Sequence, residues 1–262
     1  MDGGVMMGPA ALAKVLLGSF FIQSAWNYKR MQALGFAAAL APAIREIYGD
    51  APSRARALER HLDFFNTHPY MVSPLLGAVV RTEELAASGR ADAALCTEMK
   101  RKVMGPYGAI GDMFFWGALR PLASLAGAAA VLAWGAPGVV VFLVFYNAVH
   151  LAMRIGGFVA GYRLGPAVID VVAGLDLPQW SLRLRTAAAG VAGFLVVTAA
   201  RQWPAAASAQ RALPQEVAAG AAAAAIVCVA AVIMRRGFPR RGSLLSVAAA
   251  LLAVLTPAGA VV

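Results

Sequence analysis

A run of 41 residues with a single charged side chain limits the fold of this chain more than any other feature. Between Met113 and Met153 the only charged residue is Arg120. Across all 262 residues, 60% are hydrophobic and 14% are charged, whereas soluble domains have about 25% charged residues. This composition excludes an intrinsically disordered chain and an ordinary soluble enzyme. A membrane-spanning helix takes about 20 apolar residues, so the length allows about half a dozen spans. The predicted fold is an all-α polytopic membrane protein.

The second half divides into candidate spanning helices at its turn-forming residues. The sequence Gly-Ala-Pro-Gly at Gly135–Gly138 interrupts the long apolar run, and glycine beside proline predicts a turn. We therefore expect a helical hairpin, with one helix over 113–134 and the next over 139–158. Three further spans are predicted at 182–201, 216–234 and 243–262.

The distribution of arginine sets the predicted orientation in the membrane. Residues 113–262 contain 11 arginines and three acidic residues, and the densest late cluster is Arg235–Arg241. Basic loops are retained on the cytoplasmic side, so this cluster, the loop 159–185 and the N-terminus should lie inside. The loop 201–216 and the C-terminus should then lie outside. Because the arginines flank apolar runs, the net charge of +10 favours contact with anionic lipids and not with nucleic acid.

The first half alternates short apolar stretches with charged residues. Two runs of 14 uncharged residues, 15–28 and 31–44, are too short to span a membrane comfortably. They predict helices that lie at the membrane interface or pack against a partner. A turn at Pro52 and a charged helix over 54–65 follow, with apolar residues at helical spacing.

A proline-broken segment separates the two halves. The apolar run 64–80 contains Pro69 and Pro74, and irregular backbone at membrane depth needs protein or a water-filled cavity beside it. A soluble helix–loop–helix is the alternative. The predicted organisation has interfacial amphipathic helices, a core of broken and re-entrant segments, and a transmembrane helical region. These parts cover residues 1–62, 63–121 and 122–262, respectively.

Three clusters of polar, aromatic and glycine residues interrupt the apolar pattern. They lie at 23–36, 61–70 and 104–121 and contain W-N-Y-x-R-M-Q, F-F-N-T-H-P-Y and M-G-P-x-x-x-I-G-D-x-x-F-W-G-x-L-R-P. In this order and spacing they resemble the IID component of the mannose/fructose/sorbose family of the bacterial sugar phosphotransferase system. The resemblance covers residues 15–200, and more loosely the remaining helices.

The resemblance implies a subunit of an obligate complex in the bacterial cytoplasmic membrane. With a IIC partner of related inverted-repeat architecture, a IID chain forms a translocation unit for a hexose, assembled as a trimer of heterodimers. The soluble IIA and IIB components carry the phosphohistidines, and IIB phosphorylates the sugar during uptake. The resemblance therefore implies a non-catalytic transport subunit without a cofactor, whose contacts are IIC, IIB, the hexose and membrane lipids.

The third cluster is a candidate gating or re-entrant segment because of its glycines. Gly105, Pro106, Gly108 and Gly111 fall within seven residues. Such a density favours a sharp turn or a close chain contact over a regular spanning helix.

Asp112 follows these glycines, at the start of the apolar hairpin. A carboxylate at membrane depth is costly and usually functional, which makes Asp112 a candidate for gating or substrate binding. Two alternatives remain open. Asp112 would otherwise cap a helix that begins at Met113, or pair with Arg120 or Lys102.

The second cluster supplies neutral hydrogen-bonding groups. Asn66, Thr67 and His68 offer the donors and acceptors that read sugar hydroxyls, so we predict that they bind substrate. The alternative is that Asn66 or Thr67 caps a helix end before Pro69. A lone histidine without an orienting carboxylate is more often a hydrogen-bonding residue, and no phosphoryl role is predicted for His68.

Two acidic residues and two cysteines complete the candidates outside the motifs. Glu83 and Glu84 follow an apolar run, so each is either a buried polar anchor or part of a solvated helix end. Cys96 and Cys228 have neither CxxC nor metal-site spacing, which predicts reduced, buried thiols.

The first cluster combines aromatic rings with an amide. Trp26 and Asn27 could bind a pyranose by stacking and hydrogen bonding, although tryptophan and tyrosine also belong at membrane interfaces. Lys29 stands where the family usually has glutamate, and Tyr107 begins a departure from the commoner M-G-P-L-A-G-I-G-D. These departures leave open a paralogue that has lost transport and regulates the phosphotransferase system.

Two other classes of membrane protein fit the sequence less well. A self-sufficient secondary transporter would need more spans or an internal duplication. A membrane enzyme would need a catalytic motif, and the chain has neither HExxH nor GxSxG.

Overall fold

A computed structural model describes residues 7–209 of the chain. These residues form ten α-helices and contain no strand, which confirms the all-α class. In chain order, helices α1 to α10 cover Pro9–Phe20, Ala33–Ile47, Ala51–Glu59, Val72–Ala87, Ala94–Gly111, Arg120–Trp134, Val139–Leu151, Gly157–Leu164, Val168–Gly174 and Leu177–Ala209. The chain divides into two compact units, residues 1–191 and 192–262, and every contact described below lies within the first.

Within residues 7–209, two helical stretches are long and apolar enough to cross a membrane. They are Ala94–Trp134, with 41 residues, and Ala136–Val196, with 61 residues. The predicted span at 182–201 falls within α10. The predictions for 216–234, 243–262, Cys228 and Arg235–Arg241 lie outside the described residues.

The predicted hairpin is confirmed. Helix α6 ends at Trp134, Gly135 adopts a φ of 70°, and α7 begins at Val139. That positive φ belongs to the left-handed region in which glycine is least strained. The two helices pack closely at Gly127, where a Cβ atom would lie 2.8 Å from the Cβ of Phe142.

Two π-helical segments interrupt the long apolar helices. Asp112–Leu119 joins α5 to α6, and Ala152–Gly156 joins α7 to α8. The backbone break expected between Gly105 and Gly111 is wrong, because these residues continue α5. Proline is tolerated in a long membrane helix when local adjustments and neighbouring groups satisfy the freed carbonyl. The irregular backbone begins at Asp112, one residue after the end of the predicted range, and takes the form of a wider helical turn.

The first helix is shorter than the uncharged run 15–28 predicted. Helix α1 ends at Phe20, because the chain turns back at Asn27. The Asn27 Oδ1 accepts hydrogen bonds from the backbone N–H groups of Lys29 and Arg30, at 3.1 and 2.9 Å. Asparagine stabilises such turns by bonding to the backbone two or three residues ahead.

The charged helix is also shorter than predicted. Asp50 caps α3 by accepting a hydrogen bond from the Ser53 N–H at 2.8 Å, as expected for an acidic N-cap. The helix ends at Glu59 rather than at residue 65. Arg60 and His61 leave the helix because their side chains bind a buried glutamate of α4, described below.

The prolines of the broken segment lie where a helix can accept them. Pro69 belongs to the irregular segment 60–71 that precedes α4. Pro74 occupies the first turn of α4, where a backbone N–H has no intrahelical partner to lose. Every residue from Val72 to Val80 is buried, so α4 is a central core helix.

Helices α4 and α8 cross at unusually close range because both present glycine at the contact. Gly157 and Gly161 lie four residues apart on α8, and a Cβ atom on Gly161 would overlap the carbonyl oxygen of Pro74. Across the interface, a Cβ on Gly77 would overlap the carbonyl oxygen of Phe158. Small residues spaced in this way let helix backbones approach inside a membrane.

Candidate functional site

The segment 60–71 is held against α2 by the buried amide of Gln32. The Gln32 Nε2 donates to the Thr67 carbonyl at 2.7 Å, and its Oε1 accepts from the Thr67 N–H at 3.1 Å. The Gln32 backbone N–H also donates to the Phe65 carbonyl at 2.8 Å. This amide replaces the backbone partners that an irregular buried segment lacks. Gln32 thereby fixes the position of residues 65–67.

His68 fills the space left by a glycine of α5. A Cβ atom on Gly111 would overlap the His68 side chain, and the imidazole stacks on Phe115 with centroids 5.0 Å apart. The adjoining Gly108 faces Thr67, with its ideal Cβ position 3.7 Å from the Thr67 Cα. The structure therefore brings four predicted site residues together: Thr67, His68, Gly108 and Gly111.

Two buried polar atoms in this group have no partner within the described residues. The His68 Nδ1 accepts a hydrogen bond from the Tyr70 N–H at 3.2 Å, which assigns the proton of the neutral ring to Nε2. That Nε2–H and the Thr67 Oγ1 are buried and unsatisfied. Unsatisfied buried groups in a native fold are few and often mark a binding site. Burial and the nearby charge of Arg154 lower the pKa of His68 to about 4, so the ring is neutral at physiological pH.

A second group of polar side chains surrounds Tyr70 and was not predicted. The Tyr70 ring stacks on His150 with centroids 4.5 Å apart, and its hydroxyl lies 3.1 Å from that of Tyr146. Arg154 lies over the same ring at 4.9 Å and donates to the Ser19 carbonyl at 2.8 Å. Arg154 is only 4% exposed, although it has no acidic partner among the described residues.

The other predicted site residues lie apart from this group. Trp26 is 42% exposed and packs edge-on against Tyr28, while Asn27 forms the turn described above. Gly105 and Pro106 are exposed on α5. Asn66 is exposed beside the buried Thr67 and His68.

The structure supports neither of the two alternatives predicted for Asp112, a helix cap and an ion pair. It lies inside a continuous helix with helical φ and ψ, so the prediction that it caps a helix starting at Met113 is wrong. The structure records no ion pair with Arg120 or Lys102 among the described residues. Asp112 is exposed, one residue after the glycine that holds His68.

The two glutamates of α4 are buried anchors and not a solvated helix end. Glu83 is completely buried and accepts hydrogen bonds from Arg60 Nε at 2.8 Å, His61 Nε2 at 2.9 Å and the Tyr48 hydroxyl at 2.7 Å. Burial alone would raise the pKa of Glu83, but the bonds from His61 and Arg60 outweigh it and lower that pKa to about 2. Burial lowers the pKa of His61, so His61 donates as a neutral ring.

Glu84 joins three parts of the first unit. Its carboxylate accepts from the Met7 N–H at 2.9 Å, the Tyr162 hydroxyl at 2.7 Å and Arg81 Nη1 at 2.9 Å. The buried Lys100 supports the other side of the core, where its ammonium lies 5.1 Å from the centre of the Phe36 ring.

Comparison with known families identifies the chain. The model of the PTS system mannose/fructose/sorbose family IID component (EIID-AGA) matches residues 7–210. The chain belongs to this family. Its IID relatives include the mannose-specific EIID component of Escherichia coli K12, 37% identical over 71% of this chain and 64% of the relative. The fructose permease IID component of Bacillus subtilis 168 is 34% identical over 61% of this chain and 58% of the relative.

A solved transporter structure has a similar fold. The cryo-EM structure of the mannose transporter ManYZ with microcin E492 matches 73% of this chain and 70% of the solved chain, with a TM-score of 0.58 and 34% identity. The family and this fold identify the IID chain as a membrane protein. The chain spans less than two thirds of the length of the two curated relatives described above.

The sequence motifs did not indicate which residues hold the site in place. Gln32 is the last residue of the first motif, and nothing in the motif indicates that its amide bonds to Thr67. Arg154 directly follows the long apolar run, and an isolated charge in such a position signals a buried functional group. Within the described residues, no group of three or more side chains is arranged to hold a metal ion.

We expect the IID chain to lose stability in two steps as pH falls. The pKa of His68 drops from 6.5 to about 4 on folding, so its contribution is complete above pH 6.5 and declines toward pH 4. The pKa of Glu83 drops from 4.5 to about 2, so its contribution is present above pH 4.5 and is lost toward pH 2. Unfolding should be measured against pH for the wild type and for His68→Gln. The variant should have a shallower slope only between pH 6.5 and 4; an unchanged slope there would contradict the assignment.

Proposed function

We propose that this chain is the membrane IID subunit of a sugar permease of the phosphotransferase system. It forms, with a IIC subunit, the translocation unit for a hexose of the mannose, fructose or sorbose class. IIB phosphorylates the sugar during uptake, and IIA supplies IIB. The IID chain contributes no phosphoryl-transfer residue.

The observation that carries this proposal is the exposure of the spanning helices. In Ala136–Val196 only 6% of the most apolar 18-residue stretch is buried. Large apolar residues such as Val144 and Phe194 are 61% and 63% exposed. An apolar surface of this extent needs lipid or another membrane protein around it. One relative in this family is a fructose permease IID component, and a similar solved chain belongs to the mannose transporter ManYZ, which supports a IIC chain as that protein.

The arrangement in the membrane follows from the same proposal. The chain is multi-pass in the bacterial cytoplasmic membrane with a cytoplasmic N-terminus, and it assembles as a trimer of IIC–IID heterodimers with inverted-repeat architecture. Residues 1–62 form the interfacial amphipathic helices, 63–121 form the core segments around the broken helix, and 122–262 form the transmembrane helical region.

Within the core, the Thr67–His68 pair is the proposed sugar contact of this subunit. Its two unsatisfied groups are one donor, the His68 Nε2–H, and one hydroxyl, which matches the neutral hydroxyls of a hexose. Asn66 and Asp112 border the pair from the exposed side. Within the described residues no carboxylate orients the His68 ring, whose Nδ1 accepts a hydrogen bond from the Tyr70 N–H, and this opposes a phosphohistidine role.

Uptake by the complete complex tests both the function and the contact. Labelled mannose, fructose and sorbose should enter cells that express the chain with IIC, IIB and IIA, and omission of this chain should abolish uptake. Asn66→Ala should weaken uptake by about tenfold to a hundredfold, the cost of an unmatched hydrogen bond, while His68→Gln should largely preserve it. Asn147→Ala is the matched control, because Asn147 bonds only to its own helix, at the Leu143 carbonyl.

Assembly with IIC must be measured alongside uptake. If Asn66→Ala dissolves the complex, the residue is a structural cap. If His68→Gln abolishes phosphorylation while assembly and sugar binding persist, the hydrogen-bonding role is wrong. A complex that assembles but takes up none of the three sugars would favour the regulatory paralogue, to which Lys29 and Tyr107 point.

A further inference from the structure

An apolar cavity of about 430 Å³ opens between the two π-helical segments. Phe114 and Phe115 of the first segment and Met153 of the second line it, together with Val172 of α9 and Trp180 of α10. A cavity of this size is large enough for a small-molecule ligand or part of a lipid. None of the sugar-site residues proposed above lines it, and its walls supply almost no hydrogen-bonding groups. A hexose is therefore not its occupant.

One exposed arginine lies at the rim of this cavity. The Arg183 guanidinium lies over the indole ring of Trp180, at 4.9 Å from the ring centre. Arg185 is two residues further along the helix, on another face, and its Nε donates to the Gly117 carbonyl at 3.2 Å. Both arginines are exposed, and the structure records no ion pair for either within residues 7–209. Asp176, the nearest acidic residue in the sequence, directly precedes the same helix and contacts neither guanidinium at salt-bridge distance.

We propose that this cavity and its rim form a binding site for one anionic phospholipid. An acyl chain occupies the apolar cavity, and the phosphate contacts Arg183. The site extends the proposed transport function, since a lipid held between both π segments would stabilise the junctions of the spanning helices.

Charge complementarity favours this occupant over a protein helix. A helix of a partner would fill the apolar walls but would leave the exposed guanidinium of Arg183 without an anion. A phospholipid satisfies both parts at once, because its acyl chain is apolar and its headgroup carries the phosphate. Tryptophan beside arginine is also the side-chain pair found at the depth of lipid headgroups.

Quenching of Trp180 fluorescence by brominated lipid tests the site directly. The full chain, in complex with IIC, is reconstituted into phosphatidylcholine vesicles that contain phosphatidylglycerol. Either lipid carries the brominated acyl chain. The signal of Trp180 is the difference between the wild type and Trp180→Phe. We expect brominated phosphatidylglycerol to quench this signal at a lower mole fraction than brominated phosphatidylcholine.

The arginine variants decide whether the rim selects the lipid. Arg183→Gln should remove the preference, a loss of about fivefold, and high salt should weaken it in the wild type. Arg163→Gln, an exposed arginine of α8 that does not line the cavity, is the matched control and should keep the preference. Equal quenching by both lipids in the wild type would overturn the proposal, as would no quenching of Trp180 at all, which means that a protein covers the cavity. If no IIC complex forms, the same comparison on the full chain alone still tests the lipid site, so the two failures are distinguishable.

Discussion

Gly161→Ala is expected to destabilise the first unit by about 3 kcal/mol, the upper range for overpacking a tight core. The added methyl group would overlap the carbonyl oxygen of Pro74 and lie 2.9 Å from the backbone nitrogen of Ala78. Both contacts are backbone atoms of α4, so no side-chain rotation relieves them. Thermal unfolding of the complex in detergent, followed by size-exclusion chromatography, measures the loss.

Gly105→Ala is the matched control for this substitution. Gly105 also lies inside a helix, but no atom is within 4 Å of its ideal Cβ position. Alanine is better than glycine in a helix interior by about 0.5–1 kcal/mol, so this variant should be neutral or slightly stabilised. Equal unfolding temperatures for the two variants would show that α4 and α8 do not cross at the distance described.

Glu83→Gln is expected to cost about 3–5 kcal/mol, as when one member of a buried ion pair is removed. The carboxylate binds Arg60, His61 and Tyr48, which come from the segments on either side of α3. The amide could not accept from all three, and the Arg60 guanidinium would lose its counter-ion. The lower yield of folded complex and its lower unfolding temperature are the observables.

Asp63→Asn provides the corresponding surface control. Asp63 and Arg101 are paired at 3.6 Å, but their side chains are 57% and 71% exposed. Exposed pairs contribute about 0–1 kcal/mol, so this variant should unfold close to the wild type. A loss as large as that of Glu83→Gln would contradict the claim that burial, and not charge pairing alone, gives Glu83 its effect.

The local sequence was enough to predict the helical hairpin and the interruption before α4. Gly135 and Pro69 act on their own backbone, and their effect does not depend on residues distant in the sequence. The ends of α1 and α3 were predicted less well. They depend on Asn27, whose side chain closes a turn, and on Arg60 and His61, which bind Glu83 more than 20 residues away.

In the candidate site, too, the local features could be predicted from the sequence and the long-range contacts could not. The sequence F-F-N-T-H-P-Y pointed to Thr67 and His68, and the structure places them on Gly108 and Gly111. Nothing in the motif indicates that Gln32 would clamp Thr67, or that His150 and Arg154 would surround Tyr70. These contacts join residues 35 to 84 positions apart, and only the packing of the helices brings them together.

The π-helical segment Asp112–Leu119 lies between two glycines that each contact a side chain of another segment. Its length sets the direction of one contact relative to the other. Gly111 precedes it and receives His68, while Gly127 follows it and receives Phe142. Each residue of an α-helix turns the chain by about 100°, so loss of one residue from the segment would rotate one contact by that angle relative to the other. The segment therefore does not tolerate a change in length, and single-residue deletions should be rarer there than in the loops at either end.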